Sequence, residues 1–228
     1  MKSLVFACVM GIAATGVSSC ALAQSAPMTK GVSVNLAETT AAVAFPGADQ
    51  RDAWIVTITA DNRLFLGTKQ VTPDSLPQEM KAIPRNSSTK LYLKADARAP
   101  FQAVKQALSA AHSVQLETAV LLTAQPQAGQ QSPAAPMGLE VRLGAPSAPA
   151  TLVHVRRSPR STPLLKINNQ DLPWTQLPML EPVLQKEKEK QKLVVVDGDG
   201  TLPFDPIVHV IDYSHSLGAE VALSLAPM

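Results

Sequence analysis

The chain has 228 residues, a length that suits one or two domains of ordinary size. Hydrophobic residues make up 46%, charged residues 17%, and 20 Lys and Arg face 18 Asp and Glu. This balance excludes most disordered chains, which are poor in apolar residues, and nucleic-acid binders, which need a strongly basic surface. Two Trp, two Tyr and five Phe are all of its aromatic residues, so any core must be mainly aliphatic.

The first 23 residues have the pattern of a secretory signal peptide. Lys2 precedes an apolar, uncharged stretch, and residues 21–23 supply a small-x-small cleavage site. Two alternatives stay open: Cys20 could be the lipidated residue of a lipobox, or the stretch could be retained as a membrane anchor. Both cysteines, Cys8 and Cys20, lie here, so after cleavage we expect no disulfide and no Cys-based zinc site. The pattern predicts a periplasmic protein without a cofactor, which contacts the membrane only if Cys20 is lipidated or the N-terminus is uncleaved.

Beyond this segment the sequence contains one pattern twice. Residues 31–36 match 138–143 at an offset of 107, residues 64–71 match 165–172 at 101, and residues 91–122 match 194–225 at 103 without a gap. The last block pairs Asp96 with Asp199 and His112 with His215. The repeat predicts a tandem duplication of a first unit (residues 31–124) and a second unit (residues 138–227). A Pro/Gln/Ala linker at residues 125–137 joins them.

Each unit is predicted to contain a strand, a return strand, a short helix, a strand, a longer helix and a closing strand. In the first unit these are expected at residues 54–59, 64–71, 75–83, 91–95, 101–111 and 119–122. In the second unit they are expected at residues 152–155, 164–172, 176–185, 193–196, 204–217 and 221–225. Gly218 is expected to end the last helix. The predicted fold class is α+β, as two tandem two-layer domains, each a short β-sheet with two helices on one face.

The order of these motifs resembles the periplasmic domain of the ExbD/TolR biopolymer-transport family. Residues 34–36 are similar to its extended first element, residues 58–66 to its hairpin, with Asn62 at the usual turn glycine, and residues 91–96 to its Asp-bearing strand. The resemblance implies a non-enzymatic binding or scaffolding module with Asp96 and Asp199 as family-motif binding positions. The implied partners are envelope proteins of a TonB/Tol-type energising system, or peptidoglycan. A free-standing periplasmic adaptor without a transport link is the alternative.

Two further consequences of the resemblance concern pairing and energy coupling. The family domain pairs with itself, so we expect either self-association or an intramolecular pseudo-dimer of the two units. Family members carry a transmembrane helix with an Asp that takes part in proton-motive coupling. Here no acidic residue precedes Glu38, so we expect that this chain lacks a carrier for that step.

The segment Val194 to Leu202 presents a competing interpretation. It matches the first motif of haloacid-dehalogenase phosphatases, in which Asp197 would attack phosphate and Asp199 would act as general acid/base beside Mg²⁺. Only 26 residues follow Leu202, too few for the remaining motifs, and the first unit has Lys94 at the position of Asp197. Asp and Gly also form ordinary turns after strands. A Mg-dependent phosphatase is therefore the less favoured alternative.

The histidines are not predicted to form a site. His112 and His215 lie at helix ends, where the negative end of the helix dipole favours a charged imidazole. His209 and His215 are six residues apart and do not share a helix face. His154 lies in a strand with no partner nearby in the sequence, and the basic residues at 156–160 are interpreted as a solvated loop.

Overall fold

The structure, a computed structural model, describes residues 31–50, 53–84, 90–125, 135–144, 149–159, 162–186 and 192–225. The predicted signal peptide with Cys20 and most of the predicted linker lie outside the described residues. Within the described ranges no helix is both long enough and apolar enough to span a membrane.

The predicted elements occur in the predicted order. The first unit contains β1 (Val43–Ala44), a 3-10 helix (Pro46–Asp49), β2 (Trp54–Ile58), β3 (Leu64–Leu66), β4 (Lys69–Val71), α1 (Leu76–Ala82), β5 (Leu91–Ala95), α2 (Phe101–Ser113) and β6 (Thr118–Thr123). The second part of the chain contains β7 (Met137–Leu143), β8 (Thr151–Arg156), β9 (Leu164–Ile167), β10 (Gln170–Pro173), a 3-10 helix (Trp174–Met179), α3 (Leu180–Lys186), β11 (Leu193–Gly198), α4 (Phe204–Ser216) and β12 (Glu220–Leu223).

Both predicted return strands are in fact hairpins. Gly67 (φ 62°) divides β3 from β4, and Asn168 (φ 52°) divides β9 from β10. These left-handed φ values reverse the chain and favour Gly and Asn, which the sequence prediction overlooked. The predicted turn at Asn62 is confirmed by its φ of 64°. Gly218 follows α4 with a φ of 72°, as expected for a helix C-terminus.

The strands of both units form one mixed sheet. Its order is β10-β9-β8-β11-β12-β7-β6-β5-β2-β3-β4, and β1 pairs with β7 off this path. Strand β7 pairs antiparallel with β6 and parallel with β12, so it has a neighbour from each unit. The predicted α+β class is confirmed, but the two short sheets expected from the sequence are joined into one. The reason is that the first strand of the second unit fills the position beside the last strand of the first unit.

The two units have the same internal topology. In each, the second, fifth and sixth strands are parallel neighbours (β2, β5 and β6; β8, β11 and β12), and a hairpin extends the outer side of the second strand. This agreement supports the predicted duplication. The register also corrects the sequence match. Leu91 lies opposite Ala119, whereas Val194 lies opposite Val221, so the offset falls from 103 to 102. The match from residue 91 to 122 therefore contains a one-residue gap after the longer helix.

The sheet curves strongly between the units. Strands β5 and β11 are four strand positions apart, about 19 Å in a flat sheet, and they run in opposite directions. In a flat sheet their C-terminal ends would lie at opposite edges. Yet Pro100, after β5, forms an antiparallel bridge with Pro203, after β11. This curvature brings α2 and α4 together over one aliphatic core that contains residues of both units.

Candidate functional site

A reciprocal joint links the segments that precede α2 and α4. The N–H of Phe101 donates to the carbonyl of Leu202 at 2.8 Å, and the N–H of Phe204 donates to the carbonyl of Ala99 at 2.9 Å. A second pair of bonds at 2.9 Å has the same relation, Gln102 to Gly200 and Asp205 to Ala97. In each pair of bonds the two donors are 103 positions apart, and so are the two acceptors. Each unit therefore presents the same surface to the other, as the subunits of a two-fold dimer do.

The rings of Phe101 and Phe204 lie at the centre of this joint. Their centroids are 6.5 Å apart with an interplanar angle of 9°, and the side chains are 0% and 2% exposed. Both rings belong to the common core. Aromatic pairs in this geometry add to the stabilisation that burial alone provides. The joint is thus a core contact rather than a surface contact.

One ion pair at the joint is not repeated. Lys105 of α2 places its Nζ 2.9 Å from Oδ1 of Asp197 at the end of β11, and both side chains are buried. The positions related by 103 residues hold Val208 and Lys94, which cannot form an ion pair. The joint is therefore symmetric in its backbone and asymmetric in its charges.

His154 lies between the two carboxylates of the predicted phosphatase motif. Its Nδ1 is 3.5 Å from Oδ2 of Asp197, and its Nε2 is 3.4 Å from Oδ1 of Asp199. The prediction that His154 has no partner is wrong, because β8 lies beside β11 with His154 opposite Asp197. At 3.5 Å the contact of Nδ1 is electrostatic, and this buried nitrogen has no hydrogen-bond partner within the described part of the chain.

Asp197 is poorly placed to attack a phosphate. Asp197 is only 1% exposed, and its two carboxylate oxygens face Lys105 and His154. A nucleophile must reach its substrate, and here the approach is filled by side chains of both units. The described ranges also contain no group of three His, Cys, Asp or Glu residues that could hold a metal ion. This geometry favours a structural role for Asp197.

Asp96, a predicted binding position, holds the chain's own N-terminal strap, which we define as residues 31–41. Its carboxylate accepts hydrogen bonds from the N–H of Asn35 at 3.1 Å and from the N–H and Nε of Arg98 at 3.0 and 3.1 Å. The N–H of Ala97 donates to the carbonyl of Asn35 at 2.8 Å. Burial raises the pKa of Asp96, but the hydrogen bonds from Arg98 and Asn35 outweigh burial and lower it below its ordinary value.

Asp199, the second predicted binding position, has a more open environment. It accepts a hydrogen bond from the N–H of Arg157 at 2.7 Å and faces His154. Its side chain is 40% exposed, against 5% for Asp96. No strap from the described part of the chain lies on it, because residues 138–143, which match the start of the strap, form most of β7. The structure therefore places Asp96 and Asp199 in equivalent positions with different partners.

The sequence analysis missed Asp212, which fastens the strap to the second unit. This residue of α4 is 7% exposed. Its carboxylate accepts hydrogen bonds from the N–H of Thr40 at 3.0 Å, the Oγ1 of Thr40 at 2.9 Å and the N–H of Ala41 at 2.8 Å. A cavity of about 360 Å³ lies beside it, between the strap, α4 and the 3-10 helix that precedes α3. An acidic residue within an apolar helix pattern was the available signal.

His215 differs from the expectation for a histidine at a helix end. Its Nε2 is 2.9 Å from the carbonyl of Glu140 in β7. Burial lowers the pKa of His215 below its ordinary value, and the bond to Glu140 only partly offsets this effect. The prediction that the helix dipole favours the charged form is wrong here, because desolvation is the larger effect.

Comparison with known families adds a relationship to this geometry. Residues 21–125 match the family described as biopolymer transport protein ExbD/TolR. This segment is thus similar to an ExbD/TolR-family domain. The resemblance seen in the sequence is confirmed for this segment, which is somewhat less than half of the chain and includes β1 to β6. Searches of curated proteins and of solved structures returned no match.

Proposed function

We propose that this chain is a non-enzymatic, periplasmic binding or scaffolding module of an energised envelope-transport system. In this proposal the second unit takes the place of a second ExbD/TolR domain, so that the chain is a covalent pseudo-dimer. The observation that carries the proposal is the reciprocal joint, in which residues 103 positions apart exchange the same hydrogen bonds and stack the same ring.

The physical advantage of such a pseudo-dimer is effective concentration. Two domains joined by a short linker meet at millimolar effective concentration, so they stay paired when the chain itself is dilute. The shared strand β7 and the common core strengthen this pairing, since separation would expose apolar side chains of both units. A scaffold of this kind presents a fixed arrangement of surfaces to its partners.

The proposed partners are envelope proteins of a TonB/Tol-type energising system, with peptidoglycan as the second candidate. The non-enzymatic role agrees with the buried, ion-paired state of Asp197. The transport-related part of the proposal is supported by the match of residues 21–125 to ExbD/TolR.

Crosslinking and affinity purification from envelope fractions test the proposal. We expect the tagged chain to recover components of an inner-membrane energising complex. Sedimentation of the purified chain tests the pseudo-dimer, and we expect a monomer over a hundredfold range of concentration. Binding to peptidoglycan without recovery of an energising complex would favour the second partner. Recovery of neither would favour a free-standing adaptor without a transport link, and a stable higher oligomer would contradict the pseudo-dimer.

A further inference from the structure

The face of the sheet opposite the helices is closed in the first unit, whereas in the second unit it is buried at β11 and β12 and open at β8. Ile55 of β2 lies opposite Tyr92, and Leu152 of β8 lies opposite Val195, so Leu152 is the register equivalent of Ile55. Ile55 is 3% exposed, whereas Leu152 is 41% exposed. The same comparison holds for Thr57, which is 0% exposed, and its equivalent His154, whose side chain is 24% exposed.

The strap contributes to closing the face of the first unit. Gly31 approaches Ile55 and Thr57 so closely that a Cβ at this position would lie 2.9 Å from Oγ1 of Thr57. Four residues later, Asn35 binds by its backbone alone: its N–H donates to Asp96, and its carbonyl accepts from Ala97. The first unit thus recognises the backbone of one residue in an extended segment with a carboxylate and an adjacent N–H.

The second unit keeps the groups of this recognition site. Asp199 and Gly200 stand at the positions of Asp96 and Ala97. The side chain of Asp199 is 40% exposed; its Oδ2 accepts the N–H of Arg157 at 2.7 Å, and the remaining exposed part of the carboxylate can accept a further bond. The N–H of Gly200 has no hydrogen-bond acceptor among the described residues. The segment that would bind there by internal symmetry, residues 138–143, is held within β7 by the ladder with β6.

We propose that this open face of the second unit binds one extended segment of a partner protein, in the way that the first unit binds its own strap. We call this face the second strap site and define it by Leu152, His154, Asp199 and Gly200. The bound segment has a small residue against Leu152 and His154, followed by alternating apolar residues, and it exchanges backbone hydrogen bonds with Asp199 and Gly200.

The charges around the second strap site select the ends of the segment. Arg156 follows Leu152 and His154 on the same face of β8, and Lys166 of β9 lies directly opposite His154. Arg156 is ion-paired with Asp171 at 3.2 Å, so Lys166 is the cation of this pair that favours an acidic residue near the apolar part of the segment. The strap itself has this character, since Glu38 follows its apolar residues.

The partner is a different protein rather than a second copy of this chain. The strap is already fastened to its own chain by Asp96 and by three hydrogen bonds to Asp212. A second copy would have to break these bonds before its strap could reach another molecule. This inference deepens the proposed binding function and depends on it.

Titration of the purified full chain with a synthetic peptide tests the second strap site. The peptide has the sequence of residues 31–41, GVSVNLAETTA, with blocked termini, and a scrambled peptide is its control. Leu152→Asp is expected to weaken binding at least tenfold, measured by calorimetry or by NMR shifts. Met179→Asp is the matched control, since Met179 is 45% exposed outside the site, and it should change binding less than twofold.

Three outcomes would overturn the inference. The first is failure of the peptide to bind the folded chain at millimolar concentration, and the second is unchanged binding in the Leu152→Asp variant. The third is a dimer in sedimentation that Leu152→Asp abolishes, which would assign the site to a second copy. Envelope purification with Leu152→Asp separates this inference from the proposed function. If the variant recovers the same partner as the wild type, the site fails and the function stands; if neither recovers a partner, the function fails.

Discussion

The two units share a topology but use their first segments differently, and this difference determines most of their individual character. In the first unit, residues 31–36 belong to a strap that contacts β2 and crosses the end of β5. In the second unit the matching residues lie in β7, within the sheet. The same short apolar pattern can therefore form a strap or a strand. Residues 138–143 become a strand because they pair with the edge of β6. Joining the sheets at β7 leaves the second strap site open.

Equivalent buried positions also differ in charge. Thr57 and Lys94 lie opposite each other in the first unit, where His154 and Asp197 lie opposite each other in the second. Burial lowers the pKa of Lys94. Asp197 instead receives Lys105 from the other unit. A symmetric dimer of the first unit would place Lys105 beside Lys94, and one of the second unit would leave the buried Asp197 beside Val208. The ion pair therefore needs one unit of each kind.

The largest expected effect comes from breaking the symmetric part of the joint. Phe101→Ala and Phe204→Ala should each lower the free energy of unfolding by about 3–5 kcal/mol, because each leaves a cavity in the common core. Because the two rings are in contact, their effects should not be additive. The loss of unfolding free energy in the double variant should differ from the sum of the two single losses by at least about 0.5 kcal/mol, the scale for contacting pairs. Urea unfolding followed by circular dichroism measures both. Two separate transitions in the wild type would contradict a common core.

Breaking the asymmetric part of the joint should have a comparable but rescuable effect. Asp197→Leu leaves the ammonium of Lys105 buried without its carboxylate and should cost about 3–5 kcal/mol. The double variant Asp197→Leu with Lys105→Met should recover most of this loss, because two apolar side chains replace the pair. Glu79→Ala, which removes the largely exposed pair with Lys69, is the control and should cost less than about 1 kcal/mol. Failure of the double variant to recover stability would contradict the ion-pair interpretation.

Releasing the strap should have a smaller, local effect. Asp212→Ala removes the acceptor of two backbone N–H groups and should cost about 1–3 kcal/mol. Hydrogen exchange of Thr40 and Ala41 should accelerate at least tenfold, while exchange in β11 changes little. Ser109→Ala, at the position in α2 related to Asp212 by 103 residues, is the matched control and should leave the strap protected. Equal acceleration in both variants would mean that Asp212 does not fasten the strap.

The pH dependence of stability should be the smallest effect. Burial lowers the pKa of His215 from 6.5, so the unfolded chain binds its proton first as the pH falls. The stability from neutral His215 is therefore complete above about pH 6.5 and is lost as the pH drops through the lowered value. His215→Gln should flatten the thermal unfolding curve against pH between about 7 and 5.

Asp96 titrates in a separate, more acidic window. Its pKa is lowered from 3.8, so its contribution is present above that value and is lost as the pH falls through the folded value. Asp96→Asn should therefore flatten the curve only below about pH 4 and leave the His215 window intact. A change of slope above pH 5 in this variant would contradict the separation of the two groups.

Local patterns in the sequence were sufficient for the elements with strong periodicity. Residues 91–95 form β5 as expected, because alternate residues face the core. The helix expected at residues 101–111 is α2 (Phe101–Ser113), because every third or fourth residue faces the core. The turns at Gly67 and Asn168 were missed because a short β-hairpin and a single long strand have the same apolar alternation. Their left-handed φ values became evident only in the backbone.

The functional contacts were mostly beyond local patterns. Asp96 and Asp199 were identified as equivalent positions, but the sequence could not say that one holds the strap and the other is exposed. His154 and Asp197 are 43 residues apart and meet only because β8 and β11 are parallel neighbours. The partner of Asp212 is about 170 residues away in the chain, on the strap.

The sequence by itself determined the elements, their repeated order, the aliphatic core and the ExbD/TolR relationship, because these depend on periodicity and on motifs within a unit. The tertiary structure decided that the two sheets are one, which charges meet at the joint and which strap site is open. Those outcomes depend on competition between distant segments for one sheet edge. A strand takes the position where its backbone hydrogen bonds and its apolar face are both satisfied, and that position can belong to either unit.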